Sequence, residues 1–413
     1  MSPRLDFLTL PLLVGWVAVA HAAPLSFEQA ISLAQQQSPA LRADTAQIRA
    51  AQLSVIPAGE QPDPKIALGI DNYPVSGMSR WTMNGEPMTM QKVSIMQDFI
   101  NSDKREARKD GARAAVGVAQ AQRRVALLDI RRAVAQGWIT RYYLERKVEV
   151  LNNIHRENRI AVTTAGAQVT ADRLSPSDAL EPRIAAADIE DLKDQLTRDI
   201  SKSKANLRQY IGSAADEPLI GAPPPMEVEI GALREGLDRH PLWDSYDAQA
   251  RSASAAIREA DAEKKPDWGV ELGFQRRDPQ FGNMVSLQFT WELPIFSSTR
   301  QGPRADAKRQ DLIRVNAERE TARRERSSAL ESTFSDYEAA SRLGHRLATT
   351  TLLLARSSVD LQYASYRAGK SSLKQVLAAR RLLLDQQLKL IDLQWQQAML
   401  AAELYFSYGE LAQ

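Results

Sequence analysis

The residues that could do chemistry are few and scattered. The chain has no cysteine, which excludes disulfides, thiolate metal sites, a cysteine nucleophile and an acylated N-terminal cysteine. Its 4 histidines are His21, His155, His240 and His345, too far apart in sequence to share a local ligand motif. There is no HExxH, no phosphate-binding glycine loop and no GxSxG. No catalytic residue and no cofactor is expected. The one concentration of donors is Met78, Met83, Met88, Met90 and Met96, five of the chain's 9 methionines. Thioethers suit soft ions such as copper(I) or silver(I). The plainer reading is that methionine pads loops and fills gaps.

Such residues need a scaffold, and composition bounds it. Lys+Arg is 53 against Asp+Glu 51, so a basic surplus that would attract nucleic acid is missing, and no nucleic-acid partner is expected. Arg4 followed by the apolar run Phe7–Ala20 and the small residues Ala20 and Ala22 reads as an export signal over 1–22, too short to span a bilayer comfortably.

The chain then states one plan twice. "PDPKIALGI" from Pro62 returns as "PDWGVELGF" from Pro266. "DFINSDKREAR" from Asp98 aligns with "PIFSSTRQGPR" from Pro294, and "RLSPSDALEPR" from Arg173 with "KSSLKQVLAAR" from Lys370. The expected organisation is a first repeat over 23–212, a Pro/Gly-rich linker over 213–227 and a second repeat over 228–413. Each repeat runs helix, strand, strand, long helix, turn, helix.

Period-two alternation predicts strands over 64–73 and 90–98, then 267–276 and 284–293. Trp268, Val270, Leu272 and Phe274 alternate with Gly269, Glu271, Gly273 and Gln275, giving one apolar and one polar face. A half-buried soluble sheet would give the same pattern. Were the apolar face to meet lipid, four strands could not close alone, since the smallest membrane barrels have about eight. Several chains would have to pool strands, because open edges are not tolerated in lipid.

Stretches free of proline, 103–170 and 305–367, predict long helices over 103–170 and 303–367, each approaching 100 Å at about 1.5 Å per residue. Shorter helices are expected over 175–211, 241–263 and 372–408. The last carries a seven-residue repeat, Leu377, Leu384, Ile391, Ala398 and Tyr405, suited to supercoiling. "SPSD" from Ser175 and "SLKQ" from Ser372 read as helix N-caps.

These pieces together resemble the outer membrane efflux protein family, the TolC-type channel-tunnels. The likeness rests on the doubled plan, on "LRQYIG" (Leu207 to Gly212) and on "YRAGKSSLKQVLAAR" (Tyr366 to Arg380). It implies a mainly α fold with membrane β: a homotrimer whose chains each lend four strands to a twelve-stranded outer membrane barrel above a coiled-coil periplasmic tunnel. It also implies a periplasmic adaptor and an inner-membrane pump as partners, with this chain conducting passively through outer membrane lipid. Adaptor contacts would fall at the hairpin tips, Thr170, Asp172, Arg173, Gly369 and Lys370. The tunnel constriction would involve Asp178, Glu181, Tyr366 and Gln375. Relatives carry constriction acids where this chain has Gln375 and Ala378, so the acid role passes here to Asp178 and Glu181, with Asp178 expected to bond Tyr366. A capping role for Asp178 is the competing reading. A looser likeness to heavy-metal efflux outlets makes metal cations the first cargo, with drugs, small molecules or type I secretion as alternatives. The different-class alternative is a secreted periplasmic coiled-coil structural protein.

Overall fold

A computed structural model of the chain describes residues 24–171 and 175–409. The expected export signal, and Asp172 and Arg173 at the first hairpin tip, lie outside the described residues. The elements are α1 (Phe27–Gln37), α2 (Pro39–Ala58), β1 (Lys65–Asp71), β2 (Met90–Phe99), α3 (Ser102–Thr170), α4 (Glu181–Ile211), α5 (Ile230–Asp238), α6 (Pro241–Ala262), β3 (Trp268–Arg276), β4 (Met284–Trp291), α7 (Gln301–Arg346), α8 (Leu352–Arg367) and α9 (Leu373–Ser407).

The sheet is a four-stranded antiparallel meander in the order β1-β2-β3-β4. Each strand feeds a helix at one end only: α2 enters β1, β2 leaves into α3, α6 enters β3 and β4 leaves into α7. The helices keep the strands' order, with α3 packed on α2 and α6, and α6 on α7. Sheet and helical wall are therefore one continuous layer made of two materials. Interhelical pairs such as Arg258–Asp110 (3.1 Å), Arg309–Asp261 (3.0 Å) and Arg132–Glu403 (3.1 Å) line its seams. Exposed pairs of this kind each contribute little, and set register more than stability.

The α3 helix runs 69 residues unbroken, about 100 Å. Its middle anchors the main core, where Trp138 and Ile139 are fully buried among Leu25, Phe27, Leu207, Ile211 and Phe406. The Trp138 indole N–H donates to the Leu25 carbonyl at 3.2 Å. Arg141, also buried, is satisfied by the Glu145 carboxylate (2.7 Å) and the Ala215 carbonyl (2.8 Å). The linker is thereby tied to the core. It begins as a 3-10 turn (Gly212–Asp216) and returns past Leu25, whose N–H donates to the Pro218 carbonyl at 2.8 Å.

Three elements differ from expectation. The helix expected from residue 175 begins at Glu181. Ser175 does cap the segment, its hydroxyl accepting from the Asp178 N–H at 3.1 Å. Pro182 then has no N–H to return to the Asp178 carbonyl, so the ladder restarts after it. The helix expected over 303–367 is divided by a π turn at Leu347–Thr351. Leu347 and Leu352 are both buried, five residues apart, a spacing that an α-helix would put on different sides. The wider turn brings both onto α9. Finally, α5 was not expected; it buries Leu233 and Leu237 with Leu330, Leu404 and Tyr408, a second core beside the first.

His240 caps α6 through Nδ1, which accepts the Leu242 N–H at 3.0 Å. Burial, then the nearby Arg326 and Arg132 guanidinium groups, push its pKa from 6.5 down to about 4. The neutral ring is thus favoured on folding, so its contribution is complete above pH 6.5 and is lost as pH falls toward 4. A His240→Asn variant keeps an acceptor at the cap. Between pH 6.5 and 4.5, the wild type should lose up to about 1.4 kcal/mol per pH unit relative to this variant. Paired thermal melts across that window check this; parallel pH profiles would contradict it.

Candidate functional site

The sheet's two faces are built by alternation and aligned by register. Ile66, Ile95, Leu272 and Leu287 form one cross-strand row, and Leu68, Val93, Phe274 and Val285 the next. At the helical end the row is Phe99, Trp268 and Trp291, with Phe99 and Trp268 stacked at 4.2 Å. Most of this apolar face is bare, Val270 and Phe99 being half-buried: Leu68 is 76% exposed, Val285 70% and Leu287 60%. The polar face is sheltered on the two central strands, with Ser94 at 3% and Gln275 at 8%, and open on β1 and β4. A soluble protein's sheet has the opposite assignment. The sheet presents its apolar side bare and shelters polar groups of its central strands on the other.

Polar groups on the inner face satisfy one another. Lys92 reaches Glu271 at 2.8 Å, Lys65 reaches Asp98 at 2.9 Å, and the Gln275 amide donates to the Ser286 hydroxyl at 2.6 Å. These long side chains lie flat because glycine sits beneath them. A Cβ on Gly273 would meet the Ser286 hydroxyl at 2.7 Å and Gln275 Nε2 at 3.1 Å. Among the described residues the outer edges of β1 and β4 have no pairing strand.

The opposite end of the long helices holds the expected mouth. In the second hairpin, Gly369 takes φ +70°, a conformation that disfavours any side chain. The Lys370 N–H donates to the Ser365 carbonyl (2.8 Å) and the Gly369 N–H to that of Tyr366 (3.0 Å), which closes α8 as a Schellman motif. Gln375 completes a capping box with Ser372 at the start of α9, its side-chain carbonyl accepting the Ser372 N–H at 2.9 Å. At the other hairpin, Thr170 ends α3, its hydroxyl donating to the Gly166 carbonyl at 3.0 Å.

Three pairings at this end were not foreseen. Tyr366 donates its hydroxyl to Gln168 Oε1 at 3.1 Å, in place of the expected bond to Asp178. Glu181 lies 3.9 Å from the Lys374 ammonium, and further along Arg381 reaches Asp188 at 2.8 Å. Both join α9 to α4, so Glu181 is countered by a cation of its own chain. Asp178 is half-buried in the turn capped by Ser175; its own carboxylate is not the cap.

The five methionines do not converge. Met90 and Met96 lie on one face of β2, six residues and about 20 Å of strand apart. Met78, Met83 and Met88 sit in the loop between β1 and β2, with Met78 and Met88 exposed. Among the described residues no group of three or more His, Asp or Glu could hold a metal ion. Nor is any described helix long and apolar enough to cross a membrane.

The profile of the family described as Outer membrane efflux protein matches residues 30–213 and 232–410, once for each repeat. The chain is similar to Protein CyaE of Bordetella pertussis, 25% identical over 377 residues, which covers 86% of this chain and 78% of that protein. Its fold is that of the outer membrane protein VceC of Vibrio cholerae: 17% identity, TM-score 0.74, 93% of this chain and 96% of that one. The CmeC outer membrane channel of Campylobacter jejuni matches at 10% identity and TM-score 0.78, over 99% of this chain and 94% of that one.

Proposed function

This chain belongs to the outer membrane efflux protein family and is an outer membrane efflux channel, and from that premise we propose that it is the outlet of a tripartite system. Three copies would pool their four strands each into a twelve-stranded barrel. An inner-membrane pump would supply the energy and a periplasmic adaptor would join pump to outlet. The observation that carries this reading is the inverted sheet, apolar outside and polar inside, ending in two unpaired edges. Lipid satisfies the first property and neighbouring copies the second. A secreted coiled-coil protein with a soluble sheet would satisfy neither.

At the mouth, Asp178 and Glu181 are the proposed constriction acids, giving a ring of negative charge that favours cations. Lys374 tempers the Glu181 carboxylate, so Asp178 carries most of the effect. The Tyr366–Gln168 bond ties α8 to α3 across the hairpins and helps hold the mouth narrow. Thr170, Gly369 and Lys370, with Asp172 and Arg173, are the proposed adaptor contacts. The cargo we favour is a heavy-metal cation such as copper or silver. Support comes from the three loop methionines Met78, Met83 and Met88 at the barrel's outer end.

Single-channel recording of an Asp178→Asn, Glu181→Gln variant should show cation preference falling toward none; unchanged selectivity would end the acid-ring assignment. Deleting the gene should lower the copper or silver concentration that stops growth severalfold. Sensitivity to drugs alone would replace the cargo class, and no sensitivity to any metal or drug would leave type I secretion as the cargo class.

A further inference from the structure

The register of the sheet fixes where the lipid-facing surface stops. On β4 that face climbs six residues from Trp291 to Val285, about 20 Å of extended chain. Leu293, Ile295 and Phe296, all exposed, prolong it at the helical end. With tilt, this fills an apolar band about 25 Å tall by the level of Phe274 and Val285.

The next residue on that face of β3 is Arg276. Its row reads Ile70, Gln91, Arg276, with no carboxylate in it. Arg276 is exposed, and among the described residues its guanidinium has no hydrogen-bond or ion-pair partner. The contrast with its neighbour is sharp. Arg277 is engaged instead, donating to the carbonyls of Gly282 (2.8 Å), Phe281 (2.5 Å) and Pro87 (3.4 Å). One arginine of the pair ties two loops together; the other is left facing outward at the edge of the apolar band.

A second copy of the chain is not the natural partner for Arg276. β3 lies between β2 and β4, so Arg276 is away from the open edges where copies would meet. At this depth the surroundings are the headgroups of the outer leaflet. The loop leaving β1 at the same level carries a packed aromatic pair, Tyr73 and Trp81, with ring centroids 6.0 Å apart. Amphipathic rings of this kind suit the boundary between hydrocarbon and headgroups. Arginine's forked donors match a phosphate.

We propose that Arg276, with the Gln91 amide beside it, binds the phosphate of a phosphorylated lipid headgroup in the outer leaflet. The proposal rests on the channel reading, since it requires the apolar face to stand in the outer membrane. The full chain is extracted from outer membranes in mild detergent and examined by native mass spectrometry with diphosphorylated lipid A and with its dephosphorylated form. The phosphorylated lipid should be retained and the dephosphorylated one lost. Arg276→Gln should weaken retention roughly tenfold, the effect of one charge-assisted contact, and Arg276→Lys should keep part of it. Equal retention of both lipids by the wild type overturns the proposal without needing any variant. So does unchanged binding by Arg276→Gln, or full displacement of the lipid by inorganic phosphate, which would identify a free-anion site. A chain absent from the outer membrane would fail the channel reading first.

Discussion

Backbone N–H and C=O groups cannot be left unpaired in hydrocarbon, and the rest of this structure follows from that constraint. Four strands with an apolar exterior have two bare edges. Each unsatisfied group in lipid costs several kcal/mol, so an open sheet is not a tolerable end state. The chain's answer is to be incomplete on purpose. Its strands and helices share one lateral order, so the operation that closes the sheet also closes the helical wall below it. Duplication makes this economical: the strand-to-helix unit is used twice per chain.

The two cores serve this wall. The larger, around Trp138 and Ile139, fixes α3 against α1, α4 and α9 near mid-height. The smaller, around Leu233 and Leu404, does the same for α5, α7 and α9. Away from them the helices bury little. On α7 only Ala305, Val315, Leu330 and Ala340 are buried along 46 residues. A helix so sparsely covered by its own chain is waiting for neighbours. An outer membrane channel works through such a wall, sealed along its length and polar inside.

Much of this was legible in the sequence, and the misses have physical causes. Alternation at Trp268–Phe274 and the lack of proline in α3 located strands and helices to within a few residues. Alternation could not say which face would be bare, because a soluble sheet and a barrel share period two; only the inversion of exposure in the folded chain separates them. Pro182 was a readable signal for the late start of α4. The π turn was not, since it serves packing of Leu347 and Leu352 on a distant helix. The mouth was least legible: Gln168 and Tyr366 are 198 residues apart, and nothing in local spacing joins them or joins Glu181 to Lys374.

Because the chain has no cysteine, single cysteines report cleanly on which side of the wall each residue stands. The most direct test of the account places them one at a time at Val270, Glu271, Leu272, Phe274 and Gln275 in membranes. A water-soluble thiol reagent should label positions 271 and 275 while a lipid-confined reagent labels 270, 272 and 274. Uniform labelling by the aqueous reagent, or the opposite phase, would contradict the claim that the apolar face stands in lipid.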